Sequence, residues 1–250
     1  MFRPRIIPVL LLRKDVLVKS RNFKDYSYIG DPINAVRIFN ELKADELVFL
    51  DIDATKEKRT ISPNTVRNIA GEAMMPFSVG GGIRDLARIR EIISLGVERV
   101  IIGSYAVENP GFIKQASAEF GCSTIAVCID VKKNFFGKEQ VWTRNGTKPS
   151  GMEPLRFAQL MERAGAGEII VQSIEADGKM KGYDLRLLKK ISENVSIPIV
   201  ALGGAGNTDD LKKAYTEAHA SGVAAGSMFV YYGLKKGVLI NYPEKSEISF

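Results

Sequence analysis

Aliphatic and β-branched runs four to eight positions long recur along the chain, separated by stretches whose apolar residues return every three or four positions. The runs predict strands at Arg5–Leu12, Glu46–Ile52, Pro76–Val79, Glu98–Ile102, Ser123–Asp130, Glu168–Ser173, Pro198–Leu202 and Ser221–Ala225. The intervening stretches predict helices at Pro32–Leu42, Asn64–Ala73, Asp85–Leu95, Pro110–Phe120, Pro154–Ala164, Leu185–Asn194 and Asp209–Glu217. Several runs lack the in/out alternation of a half-exposed strand, as strands covered on both faces do. Eight strands with seven helices between them predict an α/β fold of the closed parallel (βα)8 type, a TIM barrel. An open doubly wound sheet is the other arrangement, but it rarely needs eight such regular units.

The pattern also repeats at half the chain length. Asp51-Ile-Asp-Ala-Thr55 aligns with Ser173-Ile-Glu-Ala-Asp177 at an offset of 122, and Gly103-Ser104 with Gly226-Ser227 at 123. Pro76-Phe-Ser-Val-Gly-Gly-Gly82 echoes Pro198-Ile-Val-Ala-Leu-Gly-Gly-Ala-Gly206 with one insertion. Three matches in one order predict a duplicated (βα)4 unit. The expected organisation is one barrel over residues 1–250, with half-barrels at about 1–122 and 123–235 and a tail at 236–250.

Composition narrows the class without changing the fold. Of 250 residues, 45% are hydrophobic and 26% charged, which excludes a disordered or fibrous chain. No apolar run reaches a bilayer-spanning length, and the start carries no signal-peptide pattern. Cys122 and Cys128 are too few for a disulfide or zinc framework. A cytoplasmic chain with no membrane partner is expected. The net charge of +6 is spread along the chain, with a small cluster at Lys235 and Lys236. It suits phosphorylated small molecules, and no nucleic-acid-reading motif accompanies it.

Candidate chemistry lies at the strand C-termini, the working face of such a barrel. Gly80-Gly81-Gly82 and Gly203-Gly204-Ala205-Gly206 each precede a helix, where glycine lets backbone N–H groups converge on an anion. Gly103-Ser104 and Gly226-Ser227 end the following strands and add hydroxyls. Two matched pairs predict two phosphate sites across one mouth, although any one pair by itself reads as a tight turn. The candidate acids and bases are Asp51, Asp53, Asp130, Glu175 and Asp177. Asp130 closes an apolar run that would raise its pKa and suit proton transfer. Lys19 and Lys179 lie in loops of the same face, as phosphate partners or proton carriers. His219 reads as a helix cap, and Cys128 as a small buried hydrophobe.

The whole set resembles the cyclase subunit (HisF) of imidazole glycerol phosphate synthase. The resemblance rests on Arg5-Ile-Ile-Pro8, Gly30-Asp-Pro32, Ala44-Asp-Glu-Leu-Val-Phe-Leu-Asp51, Val79-Gly-Gly-Gly-Ile-Arg84 and Ala106-Val-Glu-Asn-Pro110. Gly165-Ala-Gly-Glu168, Asp177-Gly178, Gly182-Tyr-Asp-Leu185 and Gly203-Gly-Ala-Gly206 extend it over about residues 3–232. It implies a (βα)8 barrel and a HisH-like glutaminase partner at the strand N-terminal face. Ammonia would cross the barrel to a bis-phosphorylated ribulosyl aminoimidazole substrate at the mouth, with no metal and no cofactor. Arg5, Glu46, Arg99 and Glu168 match the family's charged ring at the barrel floor, with Arg99 where the family usually has lysine. By sequence alone, these strand-start charges could form a neutral structural plug; the resemblance implies instead that they are the gate through which ammonia enters.

The departures are specific. The family's acid/base pair is two aspartates; Asp130 matches one, and Leu11 stands at the other. Leu202 replaces a polar position, Gly103 replaces an asparagine, and the residues after Ser227 do not resemble the family's full last helix. With Gly226-Ser-Met-Phe229 and the short tail, Leu11 makes the chain look like HisF paralogues associated with glycosyl amidation in surface-polysaccharide gene clusters. The alternatives are a true cyclase of histidine biosynthesis, a phosphosugar isomerase, and a non-catalytic phosphosugar-binding activator of a glutaminase.

Overall fold

The computed structural model describes residues 3–233, 237–244 and 248; Lys235 and Lys236 lie outside them. Its barrel strands are β1 (Arg5–Arg13), β2 (Leu47–Asp51), β3 (Phe77–Gly80), β4 (Arg99–Ile102), β5 (Ile125–Lys133), β6 (Glu168–Ser173), β7 (Ile199–Leu202) and β8 (Gly222–Ala225). Each pairs in parallel with the next, and Arg5 opposite Gly222 in the β1–β8 ladder closes the ring. Closure excludes the open sheet.

The connecting helices are α1 (Pro32–Glu41), α2 (Pro63–Glu72), α3 (Leu86–Ser94), α4 (Pro110–Phe120), α5 (Pro154–Arg163), α6 (Leu185–Ser192) and α7 (Thr208–Thr216). Their starts are written in the sequence. Asp31, Ser62, Asp85, Asp184 and Asn207 each accept a backbone N–H of the first turn, and proline opens α1, α2, α4 and α5.

Two apolar layers follow. The larger lies between strands and helices, around Phe39, Phe49, Val100, Phe157 and Ile191. A smaller one fills the barrel interior with Ile7, Val9, Val48, Ile101, Ala126, Ile170, Val200, Leu202 and Ala224. Among the described residues no helix is long and apolar enough to cross a membrane.

Two hairpins, not foreseen in the pattern, extend the mouth side. Val16–Arg21 and Lys24–Gly30 form an antiparallel excursion after β1, and Glu139–Thr143 folds back on the end of β5. Among the described residues no long helix follows β8. Instead Ser227–Val230 makes one short turn, and Tyr231–Tyr232 pairs with Gly237–Val238. The chain then brings Tyr242 under β1, where its hydroxyl donates to the Ile6 carbonyl at 3.0 Å and accepts the Asp45 N–H at 3.1 Å. Its ring lies 5.6 Å from Phe229 and 6.5 Å from Phe39, centre to centre.

Candidate functional site

The βα loops enclose a cavity of about 750 Å³ at the strand C-termini. Its two sides are built alike. Gly81 (φ +133°) and Gly203 (φ +90°) each pack against the end of the neighbouring strand: an added Cβ would lie 2.8 Å from the Asp51 carbonyl and 2.7 Å from the Ser173 carbonyl, respectively. Gly82 (φ +65°) and Gly204 (φ +117°) press so closely on the carbonyls of Arg59 and Gly182 that a side chain would collide with them. Asp85 then caps α3 and Asn207 caps α7, at the same spacing of 122 residues. Gly103 and Gly226 open the short helices Ser104–Glu108 and Ser227–Val230 in the same way.

Gly81, Gly82, Gly103, Ser104, Gly203, Gly204, Gly226 and Ser227 all line this cavity. Gly206 does not: its N–H goes to the Asp210 carboxylate at 2.8 Å, and an added Cβ would lie 2.9 Å from the Met180 side chain. The expected anion contact from Gly206 is therefore replaced by a structural one. On the first side Arg144 N–H donates to Ser104 Oγ at 2.9 Å, and the Lys56, Lys58 and Arg84 side chains stand at the rim. On the second, the Lys19 ammonium donates to the Val9 carbonyl and sits where a side chain on Gly226 would be. Burial lowers the Lys19 pKa to about 8 against the pull of Asp177.

The carboxylates separate into one available group and several committed ones. Asp130 lies in the cavity wall, half-covered by apolar neighbours, with Cys128 Sγ 3.7 Å from its Oδ1. Burial raises its pKa to about 7, helped by Asp177 and opposed by the Cys128 thiol. Asp51, expected to move protons, is instead a structural anion: Arg59 grips both its oxygens, and it accepts the N–H groups of Asp53 and Ala54. Arg13 similarly holds Asp53 at 2.8 Å. Asp177 accepts the Ser20 hydroxyl at 2.7 Å and the Phe23 N–H at 3.2 Å, tying the first hairpin across the mouth; burial raises its pKa. Lys179 and Glu175 are absent from the cavity wall, and His219 is exposed beyond α7 with φ +54°.

Leu11 does line the cavity, where the resemblance expects a second carboxyl, with Leu50 and Leu202 beside it. The sequence reading missed the Arg59–Asp51 and Arg13–Asp53 locks, because no local spacing announces a partner eight or forty residues away. It also gave Cys128 no polar role, although Cys-x-Asp on one strand face places the two side by side.

At the other end of the barrel, Arg5 pairs with both Glu46 and Glu168, and Arg99 reaches Glu46 at 3.4 Å. Ser78 Oγ donates to Glu46 at 2.9 Å. Just inside this ring is a cavity of about 10 Å³, walled by Ile7, Val48, Ala126, Ile170, Val200 and Ala224. It has room for roughly one water-sized molecule. Val9 and Ile101 line both this cavity and the mouth, so a short apolar neck divides them. Such a neck disfavours an ammonium ion far more than neutral ammonia. Among the described residues, no group of three His, Cys, Asp or Glu is placed to hold a metal ion.

Comparison with known proteins adds the relatives. The profile of the family described as "Histidine biosynthesis protein" matches residues 5–235. The chain is 47% identical to a Leptospira borgpetersenii protein, provisionally named imidazole glycerol phosphate synthase subunit HisF, over 99% of this chain and 98% of that one. A Leptospira interrogans protein of the same provisional name is 45% identical over the same shares. The imidazole glycerol phosphate synthase subunit HisF of Alkaliphilus metalliredigens is 41% identical over 92% of each chain.

Proposed function

Because the chain belongs to the histidine biosynthesis protein family and has the barrel of its HisF members, we propose that it is an ammonia-dependent synthase subunit working with a HisH-like glutaminase. In this reading ammonia enters through the ring of Arg5, Glu46, Arg99 and Glu168. It meets a phosphorylated substrate held between the two glycine turns in the cytoplasm, and the product serves amidation of a surface-polysaccharide sugar.

The observation that carries the reading is a single axis. The charged ring, the small apolar cavity, the Val9–Ile101 neck and the mouth cavity with Asp130 follow one another along the barrel. Exposed Met74 and Leu42 beside the strand N-termini give a glutaminase apolar surface to cover. At the mouth, the matched turns offer N–H groups and serine hydroxyls to two anionic ends.

Leu11 favours amidation over cyclisation. Asp130, poised near neutrality, can take or give one proton. The family's cyclisation is expected to need a second carboxyl, and the other acids of the mouth, Asp51, Asp53, Asp177 and Glu108, are held by Arg59, Arg13, Ser20 and Arg144 respectively. A missing acid or base typically costs 10²–10⁴-fold in rate.

The test is ammonia-dependent turnover of the ribulosyl aminoimidazole substrate, with a conventional HisF and Asp130→Asn run alongside. The proposal expects the wild-type chain to fall roughly 10²–10⁴-fold below the conventional enzyme. Turnover comparable to that enzyme, collapsing in Asp130→Asn, would overturn the amidation reading and assign the chain to histidine synthesis.

A further inference from the structure

The hairpin that carries Asp130 ends in two fully presented aromatic rings. β5 runs past Asp130 to Lys133, turns through Asn134–Lys138, and returns as Glu139–Thr143. At about 3.3 Å per strand residue, the tip stands roughly 15 Å beyond Asp130, outward from the mouth. Phe135 is 97% exposed and Phe136 83%. Neither ring packs on the barrel; they meet edge to face, 5.6 Å apart.

The tip is a built turn. Asn134 N–H donates to the Lys138 carbonyl at 2.8 Å, and Gly137 N–H to the Asn134 carbonyl at 2.9 Å. The Asn134 side-chain oxygen accepts the N–H groups of Phe136 at 2.9 Å and Lys138 at 3.0 Å. Glu139 pairs with Arg186 of α6, fixing the base, and the Lys132 ammonium lies 4.7 Å from the centre of the Trp142 ring. The aromatic pair is thus held out by an ordered scaffold, and little conformational freedom remains to be lost on binding.

Charge identifies what such a tip meets. Lys133 and Lys138 flank the rings, both exposed, and among the described residues neither enters an ion pair. Lys24, Lys56, Lys58 and Arg84, on other loops of the same face, are also exposed, so the mouth side is basic well beyond the tip. Two phenylalanine side chains offer roughly 300–400 Å². A specific protein interface takes about 800 Å² from each partner, and the strands behind the tip supply charge rather than apolar area. Aromatic side chains with neighbouring lysines suit an anionic bilayer surface, where rings enter the headgroup zone and lysines meet acidic lipids.

We propose that this hairpin docks the chain, mouth side inward, on an anionic membrane surface. Contact of this kind needs no spanning segment, so it departs from the sequence expectation of no membrane partner. One short tip gives reversible attachment, as single weak anchors do. The mouth would then work beside the bilayer while the floor stays free for a glutaminase.

The experiment is co-sedimentation of the full chain with extruded vesicles of phosphatidylcholine alone or with about 30% phosphatidylglycerol. The wild-type chain is expected to sediment with the anionic vesicles and remain in solution with the neutral ones. Each lysine at an acidic surface is worth roughly fivefold in binding, so Lys133→Gln/Lys138→Gln should lose about twenty- to thirty-fold. Phe135→Ser/Phe136→Ser, whose folding is checked by an unchanged unfolding midpoint, should lose roughly tenfold or more. Sedimentation that ignores lipid charge, or a phenylalanine variant that binds like the wild type, overturns the proposal. So does a chain that stays in solution with both vesicles, an outcome that would leave the tip as a contact for another protein.

Discussion

Between about pH 4 and about pH 7 the Asp130 carboxyl keeps its proton in the folded chain, whereas the unfolded chain has released it. The folded state therefore binds the extra proton in that window, and stability falls as pH rises through it. Asparagine in its place removes this penalty. Asp130→Asn should match the wild type near pH 4 and exceed it at about pH 7.5 by roughly 2–4 kcal/mol, measured by denaturant unfolding at both values. Equal pH dependence in the two proteins would show that Asp130 ionises freely and does not serve as a neutral-pH acid. This residue was legible in the sequence because it closes an apolar run, although β5 continues past it to Lys133. Asp51 also closes an apolar run but differs in role, because Arg59 folds back onto it and the loop that brings the arginine there has no local signature. Residue type and strand position show where a carboxylate faces; the partners decide whether it is available.

At the scale of elements, the barrel was read almost to the residue. Glu168–Ser173 and Pro110–Phe120 have the predicted bounds, and the other barrel strands and long helices differ by a few residues at their ends. These elements are buried on both faces or along a stripe, so their hydrophobic period records their surroundings. Val16–Arg21, Lys24–Gly30 and Glu139–Thr143 escaped because they pair in excursions at the rim, where polar residues are tolerated and the period is short. The segment after Ser227 shows the same limit. Its lack of a helical pattern was visible, but not its docking, which depends on Tyr242 reaching Phe39 and Phe229 from the far end of the chain. Tyr242 closes the gap that a longer last helix would cover. Tyr242→Ala should cost about 2–4 kcal/mol through lost packing. Tyr242→Phe should cost about 1 kcal/mol by leaving the Asp45 N–H without its acceptor. Thermal unfolding of both variants checks this order, and an alanine variant as stable as the wild type would mean that the tail contributes no closure.

Over the whole molecule, two similar halves give the mouth two similar ends. The Gly81 and Gly203 turns, the Asp85 and Asn207 caps and the short helices after Gly103 and Gly226 all recur at an offset of 122 or 123 residues. The similarity breaks in the side chains around the turns: Lys56, Lys58 and Arg84 stand at one end, while buried Lys19 stands at the other. The axis is apolar between its charged base and the level of Asp130 and Gln172. In this account a doubly phosphorylated compound still fits the mouth although one acid for its cyclisation is missing, so binding and turnover come apart. The most direct measurement is calorimetric titration of the bis-phosphorylated ribulosyl aminoimidazole compound into the wild-type chain, Ser104→Ala and Ser227→Ala. Saturable one-to-one binding is expected, weakened roughly tenfold or more by either substitution, since each removes a hydrogen bond to a charged group. No binding by the wild type, or equal binding by all three chains, would contradict the assignment of the two glycine turns as paired phosphate sites.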